Sequence, residues 1–140
     1  MKTNISVSIA IPAFNEAENI KHLLGSILSQ KTRGFILKEI LVISDGSTDE
    51  TVRFARSVKD KRISVFDDKK RLGKSARLQT AFNAFRGDVL FLLDADIVIT
   101  DSALLSKIIK AVDFKKRELS VSMPHRFRRV RFLKRLWKWE

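Results

Sequence analysis

Apolar residues along the chain fall into two alternating patterns. Short blocks rich in Val, Ile, Leu and Phe are typical of β-strands. Between these blocks, apolar residues recur every three or four positions, which is the spacing of an amphipathic helix. The predicted strands cover residues 5–11, 37–44, 62–66, 89–93 and 119–123, and helical spacing runs through residues 20–28, 52–58, 78–85 and 104–112.

The order of these elements predicts the fold class. Strands and helices alternate as β-α-β-α-β-α-β-α-β, which is typical of an α/β sandwich with a mostly parallel sheet and helices on both faces. In such a sheet the carboxyl ends of the strands lie along one edge, where open α/β proteins bind their ligands. The residues that follow each predicted strand are therefore the first candidates for function.

Two carboxylates follow the most apolar strand. Residues 89–93 show no polar alternation, so we expect a strand that is buried on both faces. Asp94 and Asp96 come next and, being two residues apart, would point to the same side of an extended chain. Such oxygen ligands suit Mg²⁺ or Mn²⁺ and the phosphates that the cation carries. Solvated loop acids are the alternative explanation.

The other strand ends are also polar. Asn15 and Glu16 follow the first strand, and Asp45 and Asp49 follow the second. With the two carboxylates after the fourth strand, five acids would share one edge and repel one another unless a cation or a donor-rich ligand lay there. This convergence predicts a functional site.

A capping signal predicts where the first helix begins. Asn15 and Glu18 have the spacing of a capping box, in which two side chains bond to each other's backbone N–H groups. The first helix is therefore expected to start directly after Asn15.

A basic loop precedes the third helix. Residues 69–75 (KKRLGKS) contain four cations and one glycine. Such a loop, leading into a helix N-terminus, can seat a phosphate through its charge and its free backbone N–H groups. The spacing differs from that of a P-loop, and a solvated surface is the alternative.

Length and composition indicate a globular domain. The chain has 140 residues, of which 44% are hydrophobic and 31% charged, and it has no cysteine. Disulfides and cysteine-based metal sites are therefore excluded, and a reducing compartment is compatible. No stretch approaches the roughly 20 apolar residues of a membrane span. We expect a cytoplasmic protein, either free or at the cytoplasmic face of the membrane.

Positive charge is concentrated at the C-terminal end. The formal net charge is +12, and residues 125–140 hold seven of the 28 Lys and Arg but one of the 16 Asp and Glu. We therefore divide the chain into a domain at residues 1–124 and a basic tail at residues 125–140. On a helix, residues 130–139 would separate a cationic from an apolar face, which suits an anionic membrane surface or a partner chain bound through residues 126–140. Nucleic acid is not expected, because no aromatic residues interleave with the cations of the folded part.

Four motifs, in this order, resemble those of family 2 glycosyltransferases of the GT-A fold. They are IPAFNE at residues 11–16, SDGSTD at 44–49, GKSAR at 73–77, and GD at 87–88 with DAD at 94–96. Their order and spacing match the family over residues 5 to 112, which is far more specific than any one motif. The resemblance implies inverting sugar transfer from a nucleoside-diphosphate donor, most often UDP, with Mg²⁺ or Mn²⁺.

The resemblance also implies residues for the nucleobase end of the site. Pro12, Ala13 and Phe14 would line the pocket, and Glu16 would lie near the base or ribose. Asp45 would accept a hydrogen bond from the base, most often uracil.

Three further residues are implied at the diphosphate end. Lys74 would approach the diphosphate, and Asp94 would lie near the ribose and the metal. Asp96 would coordinate the metal that bridges the two phosphates.

The sequence departs from the family in one respect. Family members continue into an acceptor-binding half with a catalytic Asp or Glu base, and polymerising members carry a Gln-x-x-Arg-Trp motif. Glu118 and Glu140 are isolated acids, and residues 134–137 lack the Gln and the Arg-Trp pair. We therefore expect a truncated, donor-binding half with no assigned catalytic residue and little transfer on its own. The alternative is a non-catalytic nucleotide-binding or assembly module that needs a partner chain or a membrane.

Overall fold

The computed structural model describes residues 5–112, 119–121 and 130–134. The chain forms six strands and four helices over this part. In order they are β1 (Ile5–Ala13), α1 (Ile20–Leu28), β2 (Phe35–Ser44), α2 (Thr51–Ser57), β3 (Ile63–Phe66), α3 (Lys74–Ala84), β4 (Val89–Leu92), α4 (Leu104–Ala111), β5 (Leu119–Val121) and β6 (Val130–Lys134).

The strands form one mixed sheet in the order β3-β2-β1-β4-β6-β5. β1 pairs in parallel with both β2 and β4, and β2 pairs in parallel with β3. β6 runs antiparallel to β4 and to β5. The predicted α/β class with a mostly parallel sheet is confirmed, and β1 lies at its centre with the ends of β2 and β4 on either side.

Each face of the sheet buries its own apolar cluster. Phe91 of β4 packs in the larger cluster with α1 and α4, whereas Leu90 packs in the smaller cluster beneath α3. Both side chains are fully buried. The strand without polar alternation is therefore covered on both faces by helices, as predicted.

The first strand is longer than predicted, because Pro12 does not end it. β1 continues to Ala13, with Pro12 opposite Ile43 and Ala13 opposite Ser44 of β2. The Ala13 carbonyl accepts the Asp45 N–H on the β2 side, so the alternation of the backbone turns Pro12 toward β4. Pairing with β4 has already ended at Ala10. Proline fits because its missing N–H faces a side without a paired strand.

The helix predicted for residues 130–139 is wrong over residues 130–134. These residues form β6, which pairs antiparallel with β4 in the register Val89↔Lys134 to Leu92↔Arg131. The physical reason is that β4 otherwise offers unpaired backbone groups along this side, and sheet pairing satisfies them more fully than a ten-residue helix, which is marginal in isolation. β5 confirms the predicted fifth strand over residues 119–121, and residues 135–140 lie outside the described part.

A buried polar network fixes the turn before β4 at the opposite edge of the sheet. Glu39 of β2, 2% exposed, accepts hydrogen bonds from Ser8 Oγ (2.7 Å) and from the Arg86 backbone N–H (2.6 Å) and Nε (2.9 Å). Gly87 lies against β1, where a Cβ would be 2.8 Å from the Ser8 backbone N. This turn therefore sets where β4 enters the sheet and where its carboxyl end emerges.

Candidate functional site

The carboxyl ends of β1, β2 and β4 lie at the same edge, and side-chain contacts link them there. The Asn15 side chain joins the end of β1 to the turn after β2, since its Oδ1 accepts the Thr48 N–H at 2.8 Å. Asp45, at the end of β2, holds the loop between β3 and α3. Lys74, at the start of α3, reaches Asp94 after β4. The predicted convergence of strand ends is therefore present, and the basic loop connects the end of β2 to the residues after β4.

Asn15 contradicts the capping prediction. Helix α1 begins at Ile20, four residues beyond the predicted start, and no side chain caps its first turn. Asn15 instead adopts φ 51°, a left-handed conformation that asparagine tolerates, and turns its side chain toward Thr48. The competing interaction is the long-range contact between the two strand ends, which a local spacing rule does not contain.

Asp45 anchors the basic loop from below. Its Oδ1 accepts the Leu72 N–H (2.8 Å), the Gly73 N–H (3.1 Å) and Arg77 Nε (3.0 Å). Burial raises the pKa of the Asp45 carboxyl, but hydrogen bonds from Leu72, Arg77 and Gly73 outweigh it, so the pKa lies below its ordinary value. Asp45 is therefore an anion with most of its acceptor sites already in use. Among the described residues, its Oδ2 faces the Gly73 N–H at 3.2 Å and Arg71 Nε at 3.8 Å.

Arg77 is the buried centre of this arrangement, with 1% of its surface exposed. Besides Asp45, it contacts both carboxylate oxygens of Asp68 (2.8 and 3.1 Å) and the Lys70 carbonyl. The Arg77 guanidinium lowers the pKa of Asp68 to about 2. Asp68 in turn raises the pKa of Arg77 despite the opposing effect of burial. One guanidinium thus ties both ends of the basic loop to the end of β2.

Arg77 is part of the GKSAR motif at residues 73–77, but the sequence predicted no role for it. Its spacing in the sequence could have indicated that it is buried. Arg77 lies four residues before Ala81 and eight before Phe85, so it shares the helix face that these two residues bury. A charged residue on a buried face needs a partner, and here it has two carboxylates.

The turn after β2 allows the loop to approach closely. At Gly46, which has φ +68°, a Cβ would lie 2.9 Å from the Arg71 backbone N and from the Lys70 carbonyl carbon. These are backbone atoms that cannot move aside easily, so any side chain here would push the loop away. The glycine is required both for its conformation and for the space that it leaves.

Phe14 lies at the mouth of the site, 37% exposed. The Arg71 guanidinium lies over its ring, 3.1 Å from the ring centroid. The other two predicted pocket residues, Pro12 and Ala13, are the last residues of β1 and are more buried. Glu16 accepts a hydrogen bond from Asn19 Nδ2 at 2.7 Å, and its backbone N–H donates to Thr51 Oγ1 at 2.7 Å.

The pair of carboxylates after β4 is asymmetric. Asp94 is partly buried and its Oδ1 is 2.5 Å from Lys74 Nζ, whereas Asp96 is exposed. No group of three or more Asp, Glu, His or Cys that could hold a metal exists in the described residues. Two carboxylates fit Mg²⁺ or Mn²⁺ only as part of a coordination sphere, because such cations commonly take one or two carboxylates and complete the sphere with phosphate oxygens and water.

The predicted repulsion among the five acids is largely relieved by the protein itself. Glu16, Asp45 and Asp94 have the donors described above, and Asp49 accepts hydrogen bonds from Thr51 and Ala17. Burial raises the pKa of Asp49, but hydrogen bonds from the Thr51 hydroxyl and from backbone N–H groups lower it by more. The pKa of Asp49 is therefore below its ordinary value. Four of the five acids are therefore held by donors of the protein itself, without any ligand.

A mostly parallel α/β sheet with cationic and carboxylate groups at the ends of its central strands is the arrangement in which α/β proteins bind nucleotides. The sequence profile described as glycosyl transferase family 2 matches residues 8–139. The chain therefore belongs to glycosyl transferase family 2, and its fold is the GT-A fold expected from the motifs.

Two curated relatives are similar over 66% to 77% of this chain. Glycosyltransferase AglD of Haloferax volcanii is 33% identical over 113 residues, which is 77% of this chain and 18% of AglD. The 4,4'-diaponeurosporenoate glycosyltransferase of Staphylococcus aureus is 42% identical over 95 residues, which is 66% of this chain and 24% of that protein. The chain thus spans a quarter or less of the length of these relatives.

Solved structures share the fold. The mannosyltransferase PcManGT of Pyrobaculum calidifontis, in complex with GDP-Man and Mn²⁺, is 27% identical with a TM-score of 0.67, and the match covers 78% of this chain and 33% of that one. S. aureus TarS in complex with UDP-GlcNAc, at 22% identity and a TM-score of 0.65 over 76% of this chain and 30% of that one, shares the fold alone. None of the helices in the described part of the chain is long and apolar enough to cross a membrane.

Proposed function

We propose that this chain binds the nucleoside diphosphate of a sugar donor, with UDP favoured, together with Mg²⁺ or Mn²⁺, and that it serves inverting sugar transfer. The observation that carries the proposal is the set of side-chain contacts that join the carboxyl ends of β1, β2 and β4. Along this one edge lie an aromatic side chain, a carboxylate that can accept a further hydrogen bond, a lysine and a pair of carboxylates. These groups match, in order, the needs of a base, a diphosphate and a divalent cation.

Phe14 and Asp45 form the nucleobase end in this proposal, with Pro12, Ala13 and Glu16 beside them. The exposed ring of Phe14 offers a flat apolar surface for stacking. Asp45 Oδ2 accepts one hydrogen bond, from the Gly73 N–H, whereas Oδ1 accepts three, so Oδ2 keeps acceptor capacity for a donor on the base. Because Asp45 stays ionised, it can accept from the N3–H of uracil but cannot donate to a base.

Lys74, Asp94 and Asp96 form the diphosphate end. The Lys74 ammonium, held by Asp94 in the absence of ligand, carries the positive charge that a departing nucleoside diphosphate requires. A bound Mg²⁺ or Mn²⁺ would add further neutralisation of that leaving group. Asp96 is exposed and has the open carboxylate that a metal ligand needs.

Calorimetry on Asp96 variants tests the proposal. The parent chain should bind UDP more tightly with Mn²⁺ than with a chelator, and Asp96→Asn should remove most of this difference while preserving side-chain shape. Asp101→Asn is the matched control, because Asp101 is an aspartate that forms an ion pair with Lys107 of α4. Undiminished metal dependence in Asp96→Asn would remove Asp96 from the site, and absence of UDP and GDP binding in the parent would refute the proposal.

The basic tail carries a second part of the proposal, contact with an anionic membrane or a partner chain through residues 126–140. Because residues 130–134 form a strand, its support is now charge alone, namely seven Lys and Arg in residues 125–140. Juxtaposed basic residues attract anionic lipid by about 1 kcal/mol each near the surface. We also propose a cytoplasmic location, either free or at the cytoplasmic face of the membrane, with which the absence of cysteine is compatible.

A further inference from the structure

Arg71 contacts both residues that the proposed function assigns to the nucleobase. Its guanidinium lies 3.1 Å from the centroid of the Phe14 ring. Its Nε lies 3.8 Å from Asp45 Oδ2, the carboxylate oxygen that accepts fewer hydrogen bonds. One side chain therefore uses the stacking surface and faces the acceptor at the same time.

A guanidinium resembles a nucleobase in the features that these two residues recognise. It is planar, it stacks on aromatic faces, and it carries N–H donors in its own plane. A uracil ring stacked on Phe14 would present its N3–H to Asp45 in the same way. A base bound in this way would need the space that the guanidinium occupies, so the two could not be bound there together.

We propose that Arg71 occupies the nucleobase position in the unliganded chain and is displaced when a donor binds, so that it weakens and thereby tunes recognition of the base. This inference rests on the proposed function, since it takes Phe14 and Asp45 as the base site. Arg71 is then a determinant of base affinity: a base binds to the extent that its stacking and hydrogen bonding exceed those of the guanidinium.

The surrounding contacts allow the side chain to leave without the loop. Arg71 is 57% exposed, and its ion pair with Asp45 is long. The backbone on either side is held separately, because the Leu72 N–H bonds to Asp45 and the Lys70 carbonyl bonds to Arg77. Displacement therefore needs only a rotation of the Arg71 side chain and leaves the neighbouring anchors in place.

The expected size follows from the contacts that the base must replace. An exposed cation–π contact and an exposed ion pair together correspond to a change of about 3- to 30-fold in binding. Removing Arg71 should tighten binding by a factor in this range, and only for ligands that contain a base. Loss of one positive charge acts in the opposite direction and on every phosphate ligand.

The test compares Arg71→Ala with Lys70→Ala, which removes the same charge from a neighbouring exposed side chain. Each variant is titrated calorimetrically with UDP and with inorganic pyrophosphate, in the presence of Mn²⁺. We expect Arg71→Ala to bind UDP about 3- to 30-fold more tightly than Lys70→Ala does, and pyrophosphate equally. Thermal unfolding of both variants verifies that they are folded.

The outcomes distinguish a failure of this inference from a failure of the proposed function on which it rests. If both variants and the parent bind UDP, but Arg71→Ala binds it no more tightly than Lys70→Ala, then Arg71 does not compete with the base and the inference is wrong. If Arg71→Ala binds UDP more weakly, Arg71 holds the base and the inference is also wrong. If neither the parent nor the variants bind UDP, GDP or pyrophosphate, the proposed function fails and this inference falls with it.

Discussion

Arg77→Met should destabilise the chain more than any substitution of an exposed cation. Methionine keeps most of the volume of the arginine stem, so the change chiefly removes the charge and the hydrogen bonds. Arg77 and Asp45 have side chains that are 1% and 9% exposed. Removing one partner of a buried ion pair leaves the other charge uncompensated, which costs about 3–5 kcal/mol.

Two features of the structure place the expected value near the lower end of this range. Asp45 keeps the Leu72 and Gly73 N–H groups as donors after the substitution, so it is not left without hydrogen bonds. The pairing of Arg77 with Asp68 lies closer to solvent and adds less, because Asp68 can be hydrated when it is released. We therefore expect a loss of about 3 kcal/mol in the free energy of unfolding.

Urea unfolding followed by circular dichroism measures this loss, provided that the slope of the transition stays constant. Arg53→Met is the matched control, because Arg53 pairs with Glu50 on the surface of α2 with side chains 71% and 55% exposed. Such exposed pairs contribute about 0.2–1 kcal/mol. Equal and small losses in the two variants would refute the view that Arg77 holds the site together.

Three further predictions concern stability in acid, recognition of the nucleobase, and membrane binding. The folded-state pKa values of Asp45 and Asp68 are lowered, so their stabilising contribution is complete above their unfolded pKa of about 3.9 and is lost as pH falls toward 2. The urea midpoint should therefore fall less steeply between pH 5 and pH 2.5 in Arg77→Met than in the parent. Asp45→Ala should weaken UDP binding by about 1–3 kcal/mol in calorimetry, and unchanged affinity would leave Asp45 as a loop anchor only. In co-sedimentation the chain should bind anionic vesicles in low salt and lose this binding when the Lys and Arg of residues 126–140 are replaced by Gln, which leaves β6 in place. A parent chain that stays in the supernatant would exclude the membrane contact.

The sheet and helices could be predicted because their signal is local. The helical spacing through residues 20–28 and the apolar run at 89–93 each depend on neighbouring residues, and both elements form. The convergence of strand ends followed from the parallel order, because topology alone brings those ends to one edge. The motif positions could therefore be placed on the correct edge before any distance was known.

The missed features depend on contacts between distant segments. Whether Pro12 ends a strand depends on how far β4 extends beside it, and whether residues 130–134 form a strand depends on the open side of β4. The positions of Arg71 and Arg77 depend on the path of the basic loop, which Asp45 and the space at Gly46 determine together. No periodicity in the sequence encodes such a path.

The central claim is that this edge binds a nucleoside diphosphate together with a divalent cation. If Asp94 and Asp96 hold the metal, as proposed, two carboxylates leave its coordination incomplete, since the described residues hold no group of three or more Asp, Glu, His or Cys that could bind a metal. The diphosphate would then complete the coordination, and the two ligands should bind cooperatively. The most direct measurement is therefore a calorimetric titration of Mn²⁺ into the chain with and without UDP, paired with UDP titrations with and without Mn²⁺. We expect each ligand to tighten the other by the same factor, of about tenfold or more. Equal affinity for UDP in Mn²⁺ and in chelator would contradict the assignment of this edge as a metal-dependent donor site.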